Sequence, residues 1–331
     1  MWRGDLQPPP QSRIAGMMTA DQTLPLVVVA GPTASGKSGL ALRLAAMCGG
    51  VVINADSMQV YADLPILTAV PDAADRAAVP HAGYAVLDGS VRCSVAQWLA
   101  ITRDAVAAAR HAGQVPILTG GTGMYLRAAL EGIAPLPEID PALRAEVVAL
   151  HQRLGGTAFR RALAELDPDL AARLEDGDSQ RLIRGMEVAR ATGKPLSLLQ
   201  KAPPEGAISG PRLTLLVDPP RPVLYQRIDA RFPMMLDAGA AEEAAQYLAR
   251  ALDPTLPLMK AVGLAPVAAL LRGEISRDEA IETATRDTRR FAKRQVTWFR
   301  HQYAPEAIWD GDDPAQYSKR FFEENLSKII K

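Results

Sequence analysis

The stretch LPLVVVAGPTASGKS at residues 24–38 decides the fold. Residues 24–30 form a short, uninterrupted apolar run rich in valine, the pattern of a strand covered on both faces. The next eight residues, Gly31, Pro32, Thr33, Ala34, Ser35, Gly36, Lys37 and Ser38, satisfy GxxxxGK[ST]. A helical pattern follows, with Leu40, Leu42 and Leu44 set among alanines. Glycine lets such a loop wrap an anion, the N–H groups at the helix start point inward, and Lys37 supplies a full positive charge. A phosphate site is therefore predicted here, with the Ser38 hydroxyl suited to Mg²⁺.

Outward from this loop, residues 51–54 and 114–119 read as further buried strands and residues 94–111 as a helix, and GGTG at 120–123 opens another helix. That alternation predicts an α/β fold, a P-loop-type doubly wound parallel sheet. Between residues 140 and 200 helical patterns are punctuated by proline and glycine without any strand signal, and RLTLLVD at 212–218 returns to strand character. The predicted organisation is a P-loop α/β core from residues 21–139 and 209–331, ending in a helical C-terminal region, with a helical insertion domain at 140–208. Residues 1–20 are expected to be a disordered leader. A long helical pattern spans residues 276–302.

Composition bounds the function. Lys plus Arg (37) equals Asp plus Glu (37) in 331 residues, which excludes whole-molecule basicity as a route to nucleic acid. A local patch survives that test: residues 286–300 carry Arg286, Arg289, Arg290, Lys293, Arg294 and Arg300 against one acid, Asp287. On a helix, Arg286, Arg290 and Arg294 align as a stripe, and Phe291, Gln295, Trp298 and Gln302 line another face. Cys48 and Cys93 lack CxxC spacing and the four histidines are scattered, which gives neither a zinc site nor a disulfide framework. No apolar run approaches the length of a membrane helix. A cytoplasmic protein without a membrane partner is expected.

In open α/β sheets the ligand sits beyond the carboxyl ends of the strands. Asp56, just after the second strand, reads either as a carboxylate beside the phosphate site or as a helix N-cap with Ser57. Thr122 reads as a phosphate-contacting hydroxyl or as a turn residue. Asp218, at the end of RLTLLVD, would hold the metal if the chain were a small-molecule kinase or NTPase.

GPTASGKS, DSMQVY (56–61), GGTGMYLRAAL (120–130), PLPEIDPALR (135–144), QRLIRGMEVARATGKPLS (180–197) and TRRFAKRQVTWFR (288–300) occur in the order found in the tRNA dimethylallyltransferase (tRNA isopentenyltransferase) family, which this sequence resembles from about residue 24 to 302. The resemblance implies transfer of the dimethylallyl group of dimethylallyl diphosphate, with Mg²⁺, to N6 of the adenine 3′ of the anticodon in tRNA. The P-loop would then hold a diphosphate leaving group. Asp56 matches the family's general base, Thr122 a residue that contacts the diphosphate, and Arg231 a second basic residue beside it; Lys37 completes the catalytic set. Ser57, Met58 and Gln59, together with Asp56 and Thr122, match tRNA contacts. So do Arg144, Gln180, Arg181, Leu182, Ile183 and Arg184, from the helical insertion.

Arg290 and Arg294 are the expected backbone contacts of the basic stripe, the anticodon stem-loop the expected partner, and a monomer the expected state. Salt bridges to Glu187 or Glu175 are the competing reading of the insertion's arginines. The sequence departs from the family at Leu67–Pro71 (LTAVP), at Pro80–Gly83 (PHAG) and at Val262–Ala265 (VGLA). Two other readings are an adenylate prenyltransferase, which would need neither the insertion nor the basic helix, and a non-catalytic RNA-binding module, which would need neither the P-loop nor Asp56.

Overall fold

The computed structural model describes residues 23–311 and 313–326, so the expected leader lies outside the described residues. Within them the strands are β1 (Leu26–Ala30), β2 (Val51–Asn54), β3 (His81–Ala82), β4 (Pro116–Gly120), β5 (Arg212–Val217) and β6 (Ala307–Trp309). They form one sheet in the order β3-β2-β4-β1-β5-β6, every neighbouring pair parallel. β1 lies inside the sheet, with Val27 opposite Ile117 on one side and Leu213 on the other, and all five of its residues are buried. This is why the run at 24–30 shows no alternation: helices cover both faces. β3 and β6 escaped the sequence reading because two and three residues are too few to carry a period; they are placed by pairing with β2 and β5.

The helices are α1 (Lys37–Cys48), α2 (Pro65–Thr68), α3 (Ala73–Ala78), α4 (Val95–His111), α5 (Gly123–Glu131), α6 (Pro141–Ala164), α7 (Pro168–Arg173), α8 (Ser179–Thr192), α9 (Leu196–Leu199), α10 (Arg221–Asp237), α11 (Ala240–Ala249), α12 (Leu264–Leu271), α13 (Arg277–Gln302) and α14 (Pro314–Phe321). α13 starts at a capping box, Ser276 with Glu279, and buries Ala280, Ala284, Ala292, Gln295 and Phe299 on one face. α4 begins where Ser94 accepts the Gln97 N–H. Its buried Trp98 donates to the Asn54 carbonyl at the end of β2 and stacks on Tyr125 with ring centres 4.1 Å apart.

The chain divides into two compact units, one from the residues up to Ala129 and from Ile208 onward, the other Leu130–Ala207. The second unit is helical. α6 bends at Gly155, whose φ of 72° belongs to the left-handed region that glycine tolerates. Phe159, Leu163, Leu170, Leu182 and Met186 make its core. Two buried acids fasten it: Asp167 accepts from Leu170 N and from Ser197 N and Oγ, and Glu187 faces Arg144 at 2.7 Å and Arg184 at 3.5 Å.

In the first unit, α2 is a single turn, too short to hold itself. Its two ends are closed from elsewhere. Glu243 of α11 accepts the Ile66 and Leu67 N–H groups at 2.8 and 2.6 Å, and Gln59 donates to the Thr68 and Ala69 carbonyls at 2.9 and 2.7 Å. Replacing Glu243 by Ala orphans two half-buried amides; local opening should become about 2 kcal/mol easier, so that hydrogen exchange at Ile66 and Leu67 accelerates roughly thirtyfold. Unchanged protection at both amides would show that other groups hold the turn.

Candidate active site

The loop between β1 and α1 has the backbone its sequence requires. Ala34 and Gly36 take φ of 62° and 97°, and the wrap ends at the first turn of α1. Gly31 must be glycine because a Cβ there would lie 2.7 Å from the Val217 carbonyl oxygen of β5 and 2.8 Å from Ser35 Oγ. Ser35 is fully buried, and its hydroxyl has no hydrogen-bond partner among the described residues. Ser38 is exposed beside it at the helix start.

Three cations address this loop. The Lys37 ammonium folds back to donate to the Pro32 carbonyl at 3.1 Å. Arg231, on α10, reaches the Thr33 hydroxyl at 3.2 Å. Arg227, one turn earlier on the same face, donates to the Ser35 carbonyl at 2.7 Å. Arg227 was missed in the sequence, although its spacing of four from Arg231 is the signal that could have found it. Burial pushes the Lys37 pKa down from 10.5 to about 8; the Asp56 carboxylate pulls it back and Arg231 depresses it further. Arg231 is lowered by burial as well, against the same pull from Asp56. Asp56, Lys37 and Arg231 thus share one electrostatic neighbourhood.

The facing wall comes from the ends of β2 and β4. Gly120 closes β4 so near to β2 that a Cβ would meet the Ala55 carbonyl oxygen at 2.1 Å. That contact brings the Asp56 loop and the GGTG loop together. Thr122 Oγ1 accepts the Ser57 N–H at 3.0 Å and makes a longer contact of 3.4 Å to Ser57 Oγ. The second distance is weak for a hydroxyl donor, so this proton can be given to another acceptor. Asp56 is held by Asn54, which takes its N–H at 2.7 Å, and its own Oδ1 accepts the Met58 N–H at 2.9 Å. Oδ2 receives no hydrogen bond among the described residues.

One residue missed as a site residue ties the two walls. Gln295 of α13, 7% exposed, accepts the Thr33 N–H with Oε1 and donates to the Gly121 carbonyl with Nε2, both at 2.8 Å. Gly121 leaves room for it, since a Cβ would sit 2.4 Å from Nε2. Trp298, one turn on, lays its indole against Gly123. Phe299 is core.

Of the remaining expected tRNA contacts, Gln59 spends its Nε2 on α2. Gln180 and Arg181 are exposed, Arg181 paired with Asp178. Arg144 and Arg184 share Glu187, which is the competing salt-bridge reading of those two arginines. Leu182 is a correction: it is fully buried in the helical unit's core, as the apolar face of α8 requires, and offers no side chain to a partner. Ile183 is partly buried against that same core. On α13, Arg290 is exposed with Asp287 at 3.8 Å, and Arg294 lies over the Phe291 ring. Among the described residues no cluster of three His, Cys, Asp or Glu side chains could hold a metal, and no helix is long and apolar enough to cross a membrane. Both cysteines are free.

The low Lys37 pKa has a signed consequence. With no anion bound, the folded chain loses this proton from about pH 8 upward while the unfolded chain keeps it to about 10.5, so the burial penalty is full below pH 8 and is relieved across that window. A bound polyanion reverses the shift. Pyrophosphate affinity should therefore weaken above pH 8, by up to roughly tenfold per pH unit relative to Lys37→Arg, which keeps its charge. Parallel calorimetric titrations of the two proteins from pH 7 to 10 measure it; coincident slopes would place Lys37 outside the anion site.

The family model described as IPP transferase matches residues 59–302. A tRNA dimethylallyltransferase of Rhodospirillum rubrum is 54% identical over 285 residues, covering 86% of this chain and 87% of the relative. One from Rhodospirillum centenum is 47% identical over 310 residues, covering 93% and 99%. The structure of the tRNA isopentenylpyrophosphate transferase of Bacillus halodurans superposes with a TM-score of 0.63 at 29% identity, covering 92% of this chain and 97% of that one. A eukaryotic dimethylallyltransferase acting on tRNA superposes with a TM-score of 0.73 at 26% identity, over 93% and 77%. With a model that spans most of its length and relatives near half identity, this chain belongs to the tRNA dimethylallyltransferase family.

Proposed function

We propose that this protein transfers the dimethylallyl group of dimethylallyl diphosphate to N6 of the adenine 3′-adjacent to the anticodon in tRNA. The observation that carries the assignment of roles is the shared neighbourhood of Asp56, Lys37 and Arg231, with Ser57 and Thr122 bonded to each other beside it. An exocyclic amine conjugated into a purine is a weak nucleophile, so the reaction needs a stabilised leaving group and a group to take the proton. N6 attacks C1 of the allyl group, the C1–O bond breaks, and its electron pair leaves on diphosphate. Lys37, Arg231 and the P-loop N–H groups meet that developing charge, as preorganised donors do in most such reactions. Thr122 turns its hydroxyl from Ser57 Oγ to a diphosphate oxygen. The N6 proton passes to Asp56 Oδ2.

Ser38 would hold Mg²⁺. An exposed hydroxyl at the head of α1 suits an ion that takes few protein ligands and several phosphate oxygens. When bound, the ion neutralises diphosphate charge. The target base must leave the anticodon stack to reach Asp56, at a few kcal/mol of unstacking. Arg290 and Arg294 would contact the tRNA backbone, and Arg144, Gln180, Arg181 and Arg184 would present the helical unit to the anticodon stem-loop. The free thiols of Cys48 and Cys93 suit a reducing, cytoplasmic setting, and a monomer suffices for the chemistry.

Labelled dimethylallyl diphosphate with unmodified tRNA, run beside an ATP-hydrolysis assay, tests the assignment. Label should enter tRNA; phosphate release from ATP with no label in tRNA would overturn it. Asp56→Asn keeps an acceptor for the Met58 N–H but removes the base, and should slow transfer by roughly 10²–10⁴-fold while tRNA still binds. Normal turnover in that variant would remove Asp56 from the mechanism. Neutralising Arg290 and Arg294 together should weaken tRNA binding and lower the slope of log K against log salt by roughly one unit per lost phosphate contact.

A further inference from the structure

We infer that Gln295 is a positioning residue that sets the distance between the leaving-group wall and the acceptor wall of the active site. The inference rests on the reaction assigned above and deepens it. The last ladder bond between β1 and β4 runs from Gly31 N–H to the Gly120 carbonyl, at 3.3 Å. Beyond it Gly31 and Gly121 still lie side by side, and among the described residues the Gln295 amide is the next hydrogen-bonded tie between the two loops. On one side it holds Thr33, whose hydroxyl also carries Arg231. On the other it holds Gly121, the neighbour of Thr122, which grips the Ser57 N–H beside Asp56. A primary amide is needed because one end must accept from an N–H and the other must donate to a carbonyl. Neither a carboxylate nor a thioether of the same length does both.

Displacement at an allylic carbon requires the amine and the carbon to be held near 3–3.5 Å in line, and a shift of about 1 Å costs roughly a hundredfold in rate. When the separation drifts, Lys37, Arg231 and the P-loop N–H groups still hold the diphosphate, at the cost of one Thr122 contact, and the Asp56 side still receives the base. Loss of the tie should therefore appear in the chemical step and leave both affinities in place. A residue that only fills the core would lower the melting temperature and the active fraction, with the rate per folded molecule unchanged.

The test compares Gln295→Met and Gln295→Glu with the parent. Single-turnover rates are measured with saturating dimethylallyl diphosphate and tRNA, together with dissociation constants for pyrophosphate and unmodified tRNA and the melting temperature. In the methionine variant the rate per folded molecule should fall roughly 10- to 100-fold, while both dissociation constants stay within about threefold of the parent. In the glutamate variant an ionised carboxylate repels the Gly121 carbonyl, and protonation restores the donor. Its rate relative to the parent at the same pH should therefore rise as pH falls.

A methionine variant that folds and keeps the parental rate overturns the inference. So does a rate loss matched by equal losses in binding, a flat pH ratio in the glutamate variant, or failure of both variants to fold. Absence of transfer by the parent itself would instead overturn the reaction assignment, which the ratios do not test.

Discussion

An excess of positive charge gathered in a partly buried pocket is the constraint on which the rest of the site depends. Lys37, Arg227 and Arg231 converge on one loop, and Asp56 is the acid whose field reaches Lys37 and Arg231. For Lys37 and Arg231 burial outweighs the pull of Asp56, because desolvated charge is costly unless paired. A diphosphate supplies the missing negative charge. On the proposed reaction the same arrangement would bind the donor and favour its departing anion, and each of the three cations has a hydrogen-bond partner on the loop.

Much of this was legible in the chain. The valine run, the GxxxxGK[ST] loop and the strand–helix rhythm determine a parallel sheet, and Asp56 and Thr122 follow strands whose ends must face one ligand. What stayed hidden were contacts across long separations. Gln295 lies 262 residues from Thr33 and 174 from Gly121, and local spacing has no way to pair them. Its amide, in a basic and aromatic segment, looked like part of a helix face. Arg227 was hidden for the opposite reason: an arginine on an amphipathic helix is so ordinary that its burial against Ser35 has no local mark.

The helical unit shows where motif reading overreaches. The motif match makes QRLIR a block of RNA contacts, yet a helix cannot show five consecutive side chains to one partner. Leu182 faces inward at 0% exposure, and Arg184 turns toward buried Glu187. The buried carboxylate gives that pair of arginines a fixed posture. Their heads remain about two-fifths exposed, so structural and recognition roles are compatible in the same side chains.

The indole of Trp298 rests directly on the α-carbon of Gly123, with ring atoms 2.3–2.5 Å from where a side chain would begin. Any larger residue at 123 must push the aromatic ring outward, and the ring belongs to the same helical turn as the amide that spans the two loops. The two positions are therefore sterically coupled: a methyl group at 123 fits only where the ring at 298 moves aside or gives way to a smaller side chain, and either change is felt in the turn that carries Gln295.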